Sequence, residues 1–187
     1  MGGVDKAMVM LAGRPLLAHV IARLAGQVAA LALSANGDAA RFGRFGLPVL
    51  PDPPGFLGEG PLAGVLAGLG WAQGQGARAL VTVSVDTPFL PRDLVARLKA
   101  ATGAGLAGTG AAMATSGGRL HPTVALWPLT ARTALAEALA SGERRLRVVL
   151  AEAVTVAFDA APLDPFFNVN TPDELARAET LCRAGAP

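Results

Sequence analysis

The apolar, β-branched run from Ala79 to Val85 stops at a carboxylate, Asp86, and Thr87-Pro88 then turns the chain away. In an open α/β sheet, ligands bind outside the carboxyl ends of the strands. A carboxylate at such an end is placed to hold a divalent ion on a phosphorylated ligand. Mg2+ suits that role, because it takes one or two carboxylates and fills the rest of its shell with phosphates and water. Asp86 can equally cap the turn that follows it. Two further strand-type runs, residues 28–33 and 47–50, lead into Asn36 and Asp52. Both residue types are common in turns, and both can read a ligand. Three such ends on one sheet edge would form a site.

Other residues suit an anionic ligand. Lys6 follows Gly2-Gly3-Val4-Asp5, and a Gly-rich backbone with a lysine is a phosphate-binding combination. Gly60-Pro61-Leu62-Ala63-Gly64 leads into a helix; glycine lets a ligand approach, and the helix start favours negative charge. Asn168 and Asn170, two apart on an extended segment, point the same way. Arg144-Arg145 is a solvated pair or a phosphate clamp. His121, beside Pro122, is a structural residue or an acid–base group, whereas His19 sits in a helix without a chemical partner.

These residues need a scaffold, and its pattern is readable. Arg14-Pro15 opens a helix with Leu16, Leu17, Val20, Ile21 and Leu24 on one face. Pro61 opens a second helix, with Leu62, Val65, Leu66 and Leu69, and a third starts near Pro91. Residues 105–127 form two extended segments around Ser116-Gly117-Gly118, a hairpin signal. Helices over 130–140 and 143–151 and a strand over 154–158 follow. Thr171-Pro172-Asp173-Glu174 supplies an N-cap, a proline at N1 and a capping-box acid. The alternation of helix and strand predicts a layered α/β fold, three layers around a mostly parallel sheet, in a single domain over residues 1–187.

Composition bounds the partners. The chain has 187 residues, a net charge of +2, no Tyr and one Cys. It carries no Lys/Arg run and no aromatic–basic alternation, which argues against nucleic acid. Lone Cys182 excludes an internal disulfide and a Cys-based zinc site and reads as an inert thiol. No apolar stretch is long enough to span a bilayer and the first residues do not form a signal peptide, so a cytoplasmic protein without membrane contact is expected.

Taken in order, the motifs resemble the molybdenum cofactor guanylyltransferases of the nucleotidyltransferase-like α/β family. The matching segments are Met1-Gly2-Gly3-Val4-Asp5-Lys6-Ala7, Ala12-Gly13-Arg14-Pro15-Leu16, Ser34-Ala35-Asn36 and Gly60-Pro61-Leu62-Ala63-Gly64. They continue with Asp86-Thr87-Pro88, His121-Pro122-Thr123, Gly142-Glu143-Arg144-Arg145 and Phe167-Asn168-Val169-Asn170-Thr171-Pro172. The resemblance implies a Rossmann-like nucleotidyltransferase fold and an enzyme that binds GTP and Mg2+. It joins GMP to the phosphate of molybdenum-molybdopterin and releases pyrophosphate. It further implies that Asp86 ligates Mg2+ and contacts GTP, and that Lys6, with Gly2 and Gly3, meets the phosphates. Asn36, Asp52 and Gly60 would hold the nucleotide, and Asn168 and Asn170 the pterin side. Molybdoenzyme chaperones and other cofactor-biosynthesis proteins are implied partners. The resemblance departs at the head: the family opens with a strand and a Leu-Ala-Gly-Gly loop upstream of Met-Gly-Gly, so the first, central strand is expected to be missing. Two alternatives stay open, a cytidylyltransferase on the same pterin and a non-catalytic module binding pterin or chaperone.

Overall fold

The computed structural model describes residues 5–103 and 110–184. A 3-10 turn, Lys6–Met8, leads into a small antiparallel pair, β1 (Met10–Leu11) and β2 (Arg14–Pro15), joined through Ala12 and Gly13, both at positive φ. Helix α1 (Leu16–Leu24) therefore begins after Pro15, which serves as its N-cap, instead of at Arg14. Strand β3 (Leu33–Ser34), a 3-10 segment (Ala39–Phe45) and β4 (Val49–Leu50) follow, with β3 and β4 parallel. Then come α2 (Pro61–Gly74), β5 (Ala79–Thr82), α3 (Leu94–Ala101), β6 (Ala112–Ser116) and β7 (Arg119–Pro128). The chain continues through α4 (Ala131–Ala140), α5 (Leu146–Val149), β8 (Val154–Phe158) and α6 (Pro172–Arg183).

The layered α/β fold expected from the sequence is present, with one correction. The sheet is mixed, not mostly parallel. Its four-stranded part runs β5-β7-β6-β8, and only β6·β8 is parallel. The reason is local: Gly117 and Gly118, at φ 51° and 77°, make the two-residue turn that a tight hairpin requires. This returns β7 antiparallel, between β6 and β5. The hairpin signal thus falls where expected, although residues 105–109 of the predicted extended segment lie outside the described residues. Among the described residues no ladder joins β3·β4 to the four-stranded sheet. Strands 28–33 and 79–85 are shorter than their apolar runs, because pairing stops at the last ladder partner, Thr82 opposite Ala125 for β5.

Period-two alternation sorts the sheet's side chains into two cores. Ala112, Ala114, Val124 and Leu126 face α1 and α3, through Val20, Leu24, Leu94 and Leu98. Met113, Ala125 and Trp127 face the other way, onto Leu62, Val65, Leu66 and Leu69 of α2 and Leu135 and Leu139 of α4. Gln27 ties the α1 end to α3: its side chain donates to Pro91 O and accepts from Val95 N, which supplies the N-terminal cap that Asp93 does not. Helix α6 packs against Val9, Leu11, Leu16, Phe89 and Val169. That contact draws residues 9–16 and the 168–170 segment together.

Trp127 is 1% exposed, and its indole N–H donates to Thr82 Oγ1 at 3.0 Å. Trp127→Ala is expected to lower stability by about 3–5 kcal/mol, the range for a large aromatic removed from a core. Trp127→Phe, which removes mainly the donor, is expected to cost about 1–2 kcal/mol. Urea unfolding of the two variants checks the order.

Candidate active site

Lys6 is set by its own turn. Asp5 caps it, accepting from Ala7 N at 3.1 Å, and the same carboxylate pairs with Arg41 Nε at 3.0 Å. Lys6 Nζ donates to Asn170 Oδ1 and lies 3.5 Å from Asp86 Oδ2. Three segments far apart in sequence therefore meet at one ammonium group. Gly2 and Gly3 lie outside the described residues.

Asp86 sits four residues beyond β5, within a turn. It is buried, 8% exposed. Ser84 Oγ donates to its Oδ1 at 2.5 Å, and Thr87 Oγ1 donates back to Ser84 O at 2.7 Å. The Asp86 carbonyl accepts from Val169 N at 2.9 Å, so the turn and the 168–170 segment hold each other. Ser84 escaped the sequence reading; its position two residues before a strand-end aspartate was the available signal.

Asn170 is fixed through its backbone. Its N–H and that of Thr171 both donate to Glu174 Oε2, while Glu174 N donates to Thr171 Oγ1, the reciprocal capping box. These bonds, the Asn170 N–H foremost, hold the Glu174 carboxyl below its ordinary pKa. The cap anticipated from Thr171-Pro172-Asp173-Glu174 thus orients the asparagine beside Lys6. Asn168 is exposed on the same segment.

Asn36 and Asp52 form a second centre. Asn36 Nδ2 donates to Asp52 Oδ2 at 2.6 Å, and Asp52 N donates to Asn36 Oδ1 at 2.9 Å. Gly58 N also donates to Asp52 Oδ2, which ties in the loop before α2. Arg41 NH2 donates to Asn36 O at 2.8 Å. Since Arg41 also holds Asp5, it joins this centre to the Lys6 turn; nothing in the sequence marked it. Gly60, at φ 83°, is the N-cap of α2, with Pro61 at N1. The N-terminal turn of α2 lies against β3, because Gly64 has no Cβ: one placed there would stand 2.5 Å from Ser34 Oγ and 3.9 Å from Asp52 Oδ1.

The arginine pair divides. Arg144 is occupied within the protein, donating to Glu59, Leu139 O and Glu143 O. Arg145 is largely exposed and pairs with Glu143, whose carboxyl its guanidinium, with the Arg145 and Arg144 backbone N–H groups, lowers to about 2. His19 bonds Leu11 O, a structural role as expected. Burial raises the Cys182 thiol, in keeping with an inert residue. A shallow groove lined by Leu50, Pro51, Pro53, Leu66, Trp71 and Arg132 borders the Asn36–Asp52 centre, through the two prolines that flank Asp52.

An Asp, a Lys and the Asn170 amide meet at one point, with the Asn36–Asp52 pair tied to it through Arg41 and Asp5, a set suited to phosphoryl or nucleotidyl transfer, in which positioning and charge supply most of the catalysis. Among the described residues no group of three or more His, Cys, Asp or Glu side chains forms a metal cage. No helix among them is long and apolar enough to cross a membrane.

Comparison with known proteins agrees with this chemistry. The family described as "MobA-like NTP transferase domain" matches residues 1–156. A molybdenum cofactor guanylyltransferase of Rhodobacter capsulatus is 53% identical over 185 residues, covering 99% of this chain and 92% of that protein. One from Bradyrhizobium sp. (strain ORS 278) is 51% identical over 187 residues, covering 97% and 86%. Among solved structures, the molybdopterin-guanine dinucleotide biosynthesis protein A of Archaeoglobus fulgidus superposes with a TM-score of 0.75 at 24% identity, covering 97% of this chain and 92% of that one. The 2-C-methyl-D-erythritol 4-phosphate cytidylyltransferase of Thermus thermophilus superposes with a TM-score of 0.63 at 22% identity, covering 95% and 94%. The two superpositions show a shared fold.

The close approach of α2 to β3 is testable. Gly64→Ala adds helix propensity of about 1 kcal/mol but overpacks against Ser34, at a cost of about 1–3 kcal/mol. The single variant is expected to be less stable than the parent. Added to Ser34→Ala, the same substitution is expected to stabilise. Thermal unfolding of the four chains reads the sign change.

Proposed function

Because the chain belongs to the MobA-like NTP transferase domain family, we propose that it transfers GMP from GTP to the phosphate of molybdenum-molybdopterin. A phosphate oxygen of the pterin attacks the α-phosphorus of GTP. The bond from that phosphorus to the bridging oxygen breaks, and pyrophosphate leaves with the electron pair. The product is the molybdopterin guanine dinucleotide cofactor. The observation that carries this reading is the meeting of Lys6, Asp86 and Asn170 at one point beyond β5.

This chain's residues act by position and charge. The Lys6 ammonium exchanges its contacts with Asp86 and Asn170 for phosphate oxygens and offsets their charge. Asn36 and Asp52, already locked to each other, offer a preformed nucleotide side next to the loop at Gly60. Gly2 and Gly3, which precede Lys6 in the sequence, are assigned to the phosphates with it. Asn168 and Asn170 serve the pterin side. No covalent nucleophile is required, and Ser84 serves only to orient Asp86.

The donor set fits Mg2+. Asp86 supplies one buried carboxylate with Oδ2 turned to Lys6, and Mg2+ is held in such sites by one or two carboxylates together with substrate phosphates. When bound, the ion neutralises phosphate charge and favours departure of pyrophosphate.

The guanylyl reading rests on relatives at about half identity that carry that activity in their names; the cytidylyltransferase named above is similar in fold alone. The test is transfer from each of GTP, CTP and ATP in the presence of Mg2+ and molybdenum-molybdopterin. Product from GTP alone is expected. Product from CTP alone would replace this reading with the cytidylyl one, and no product with any nucleotide would favour a binding module. Asp86→Asn is expected to lower kcat by about 10²–10³-fold, the scale for losing one preorganised electrostatic group, while unfolding at the parent's temperature. Unchanged turnover in that variant would remove Asp86 from the site.

A further inference from the structure

His121 lies in a polar chain for which the reaction above has no use. It stands on β7 beyond the last pairing with β5, where the register against β6 also breaks, between Met113 and Ala114. A break of this kind re-aims the strand and carries the hairpin tip toward the carboxyl end of β5, the end where Asp86 sits. The His121 ring rests on Phe166, with centroids 4.6 Å apart. Three residues on, Val169 N donates to Asp86 O. One short segment thus touches both His121 and the Asp86 turn.

The hydrogen-bond chain sets the tautomer of His121. Asp164 Oδ1 accepts from Phe166 N at 2.9 Å and from Ser116 Oγ at 2.8 Å. A carboxylate only accepts and a hydroxyl has a single proton, so the Ser116 proton is committed to Asp164. The remaining contact, Ser116 Oγ to His121 Nε2 at 2.8 Å, then requires the proton to be on Nε2. Nδ1 is left with a lone pair. Among the described residues it has no protein partner, and no buried side-chain nitrogen or oxygen goes unpaired, so this nitrogen reaches solvent. Burial pushes the His121 pKa below its ordinary value against the opposing pull of Asp164, and Arg119 adds to the lowering. Burial thus favours the neutral ring, in which the Nδ1 lone pair is available.

We propose that His121 binds the acceptor substrate, its Nδ1 accepting a hydrogen bond from a ring or amino N–H of the pterin. The inference rests on the guanylyl-transfer reading for the identity of the acceptor. It places the acceptor along β7 and the 164–170 segment, and leaves the β3·β4 end, with Asn36 and Asp52, to the nucleotide. Asp164 and Ser116 are positioning residues, which present the acceptor nitrogen outward and hold the segment that carries Asn168 and Asn170.

The experiment separates the two ring nitrogens. His121→Gln keeps an N–H near the Nε2 position for Ser116 and removes the acceptor at Nδ1; His121→Asn keeps an acceptor near Nδ1 and releases Ser116. Steady-state transfer by the full chain is measured with molybdenum-molybdopterin and GTP varied in turn. His121→Gln is expected to raise the KM for the acceptor about tenfold, the scale of one neutral hydrogen bond, with the KM for GTP unchanged. His121→Asn is expected to stay closer to the parent in acceptor KM. Parent-like acceptor kinetics in His121→Gln, or equal losses for both substrates, would overturn the proposal and leave His121 a structural partner of Ser116. The unsubstituted chain supplies a second readout, because it has only two histidines. Nitrogen-15 spectra are expected to show a pyridine-type Nδ1 on His121 that shifts on titration with molybdenum-molybdopterin without nucleotide. A protonated Nδ1, or one unmoved by the acceptor, would overturn the proposal. Failure of the parent chain to transfer GMP would sink the functional reading instead, and the spectra would still judge His121.

Discussion

The Lys6 ammonium, held between Asp86 and Asn170, is the contact on which the arrangement of this site depends. Each of the three residues comes from a segment with its own reason to be there. Lys6 rides on a turn capped by Asp5, Asp86 on a turn braced by Ser84 and Thr87, and Asn170 on the capping box of α6. A cation among acceptors suits this place, because a buried carboxylate without a partner would be costly. On the proposed reading the same cation would serve an incoming triphosphate, and the half-exposed lysine would lose little in exchanging one set of oxygens for another.

Packing elsewhere keeps those segments in place. Helix α2 lies close against the sheet because Gly64 and Gly68 present no side chain to Ser34 and Leu80. That approach lets one helix start serve both the Asn36–Asp52 centre and the loop at Gly60. On the opposite side α6 packs on Val9, Leu11, Leu16 and Val169, so the first turn and the asparagine segment share one apolar support. Arg41 closes the circuit with bonds to both Asp5 and Asn36 O. Arg144, by contrast, is engaged by Glu59 and two carbonyls and braces the loop ahead of α2.

Much of the fold was legible because local rules and burial agreed. The apolar faces of α1 and α2, the Gly117-Gly118 turn and the Thr171 cap each rest on a short-range cause, and each forms where its cause lies. The misjudged points are those at which pairing decides. A βαβ-like alternation implied a mostly parallel sheet, yet the two-glycine turn sends β7 back between β5 and β6. Apolar runs overstated β3 and β5, since a strand ends where its ladder partner ends, and no residue in the run itself carries that information. The α1 start moved to Leu16 because Arg14 and Pro15 are used in a small pair with Met10 and Leu11.

By itself, the sequence determined the class of fold, the chemical types available for a phosphate-handling site and the caps that end several elements, because these follow from residue type and short spacing. Only the tertiary structure decided which of those residues meet. Lys6 and Asn170 are 164 positions apart, and no local rule pairs them. Nor did any local rule mark Arg41, or link His121 to Ser116 and Asp164, whose roles arise only when a hairpin tip, a strand end and the 164–170 segment are brought to the same end of the sheet. A single hydroxyl proton, given to Asp164 and not to His121, then settles which nitrogen of His121 carries the proton.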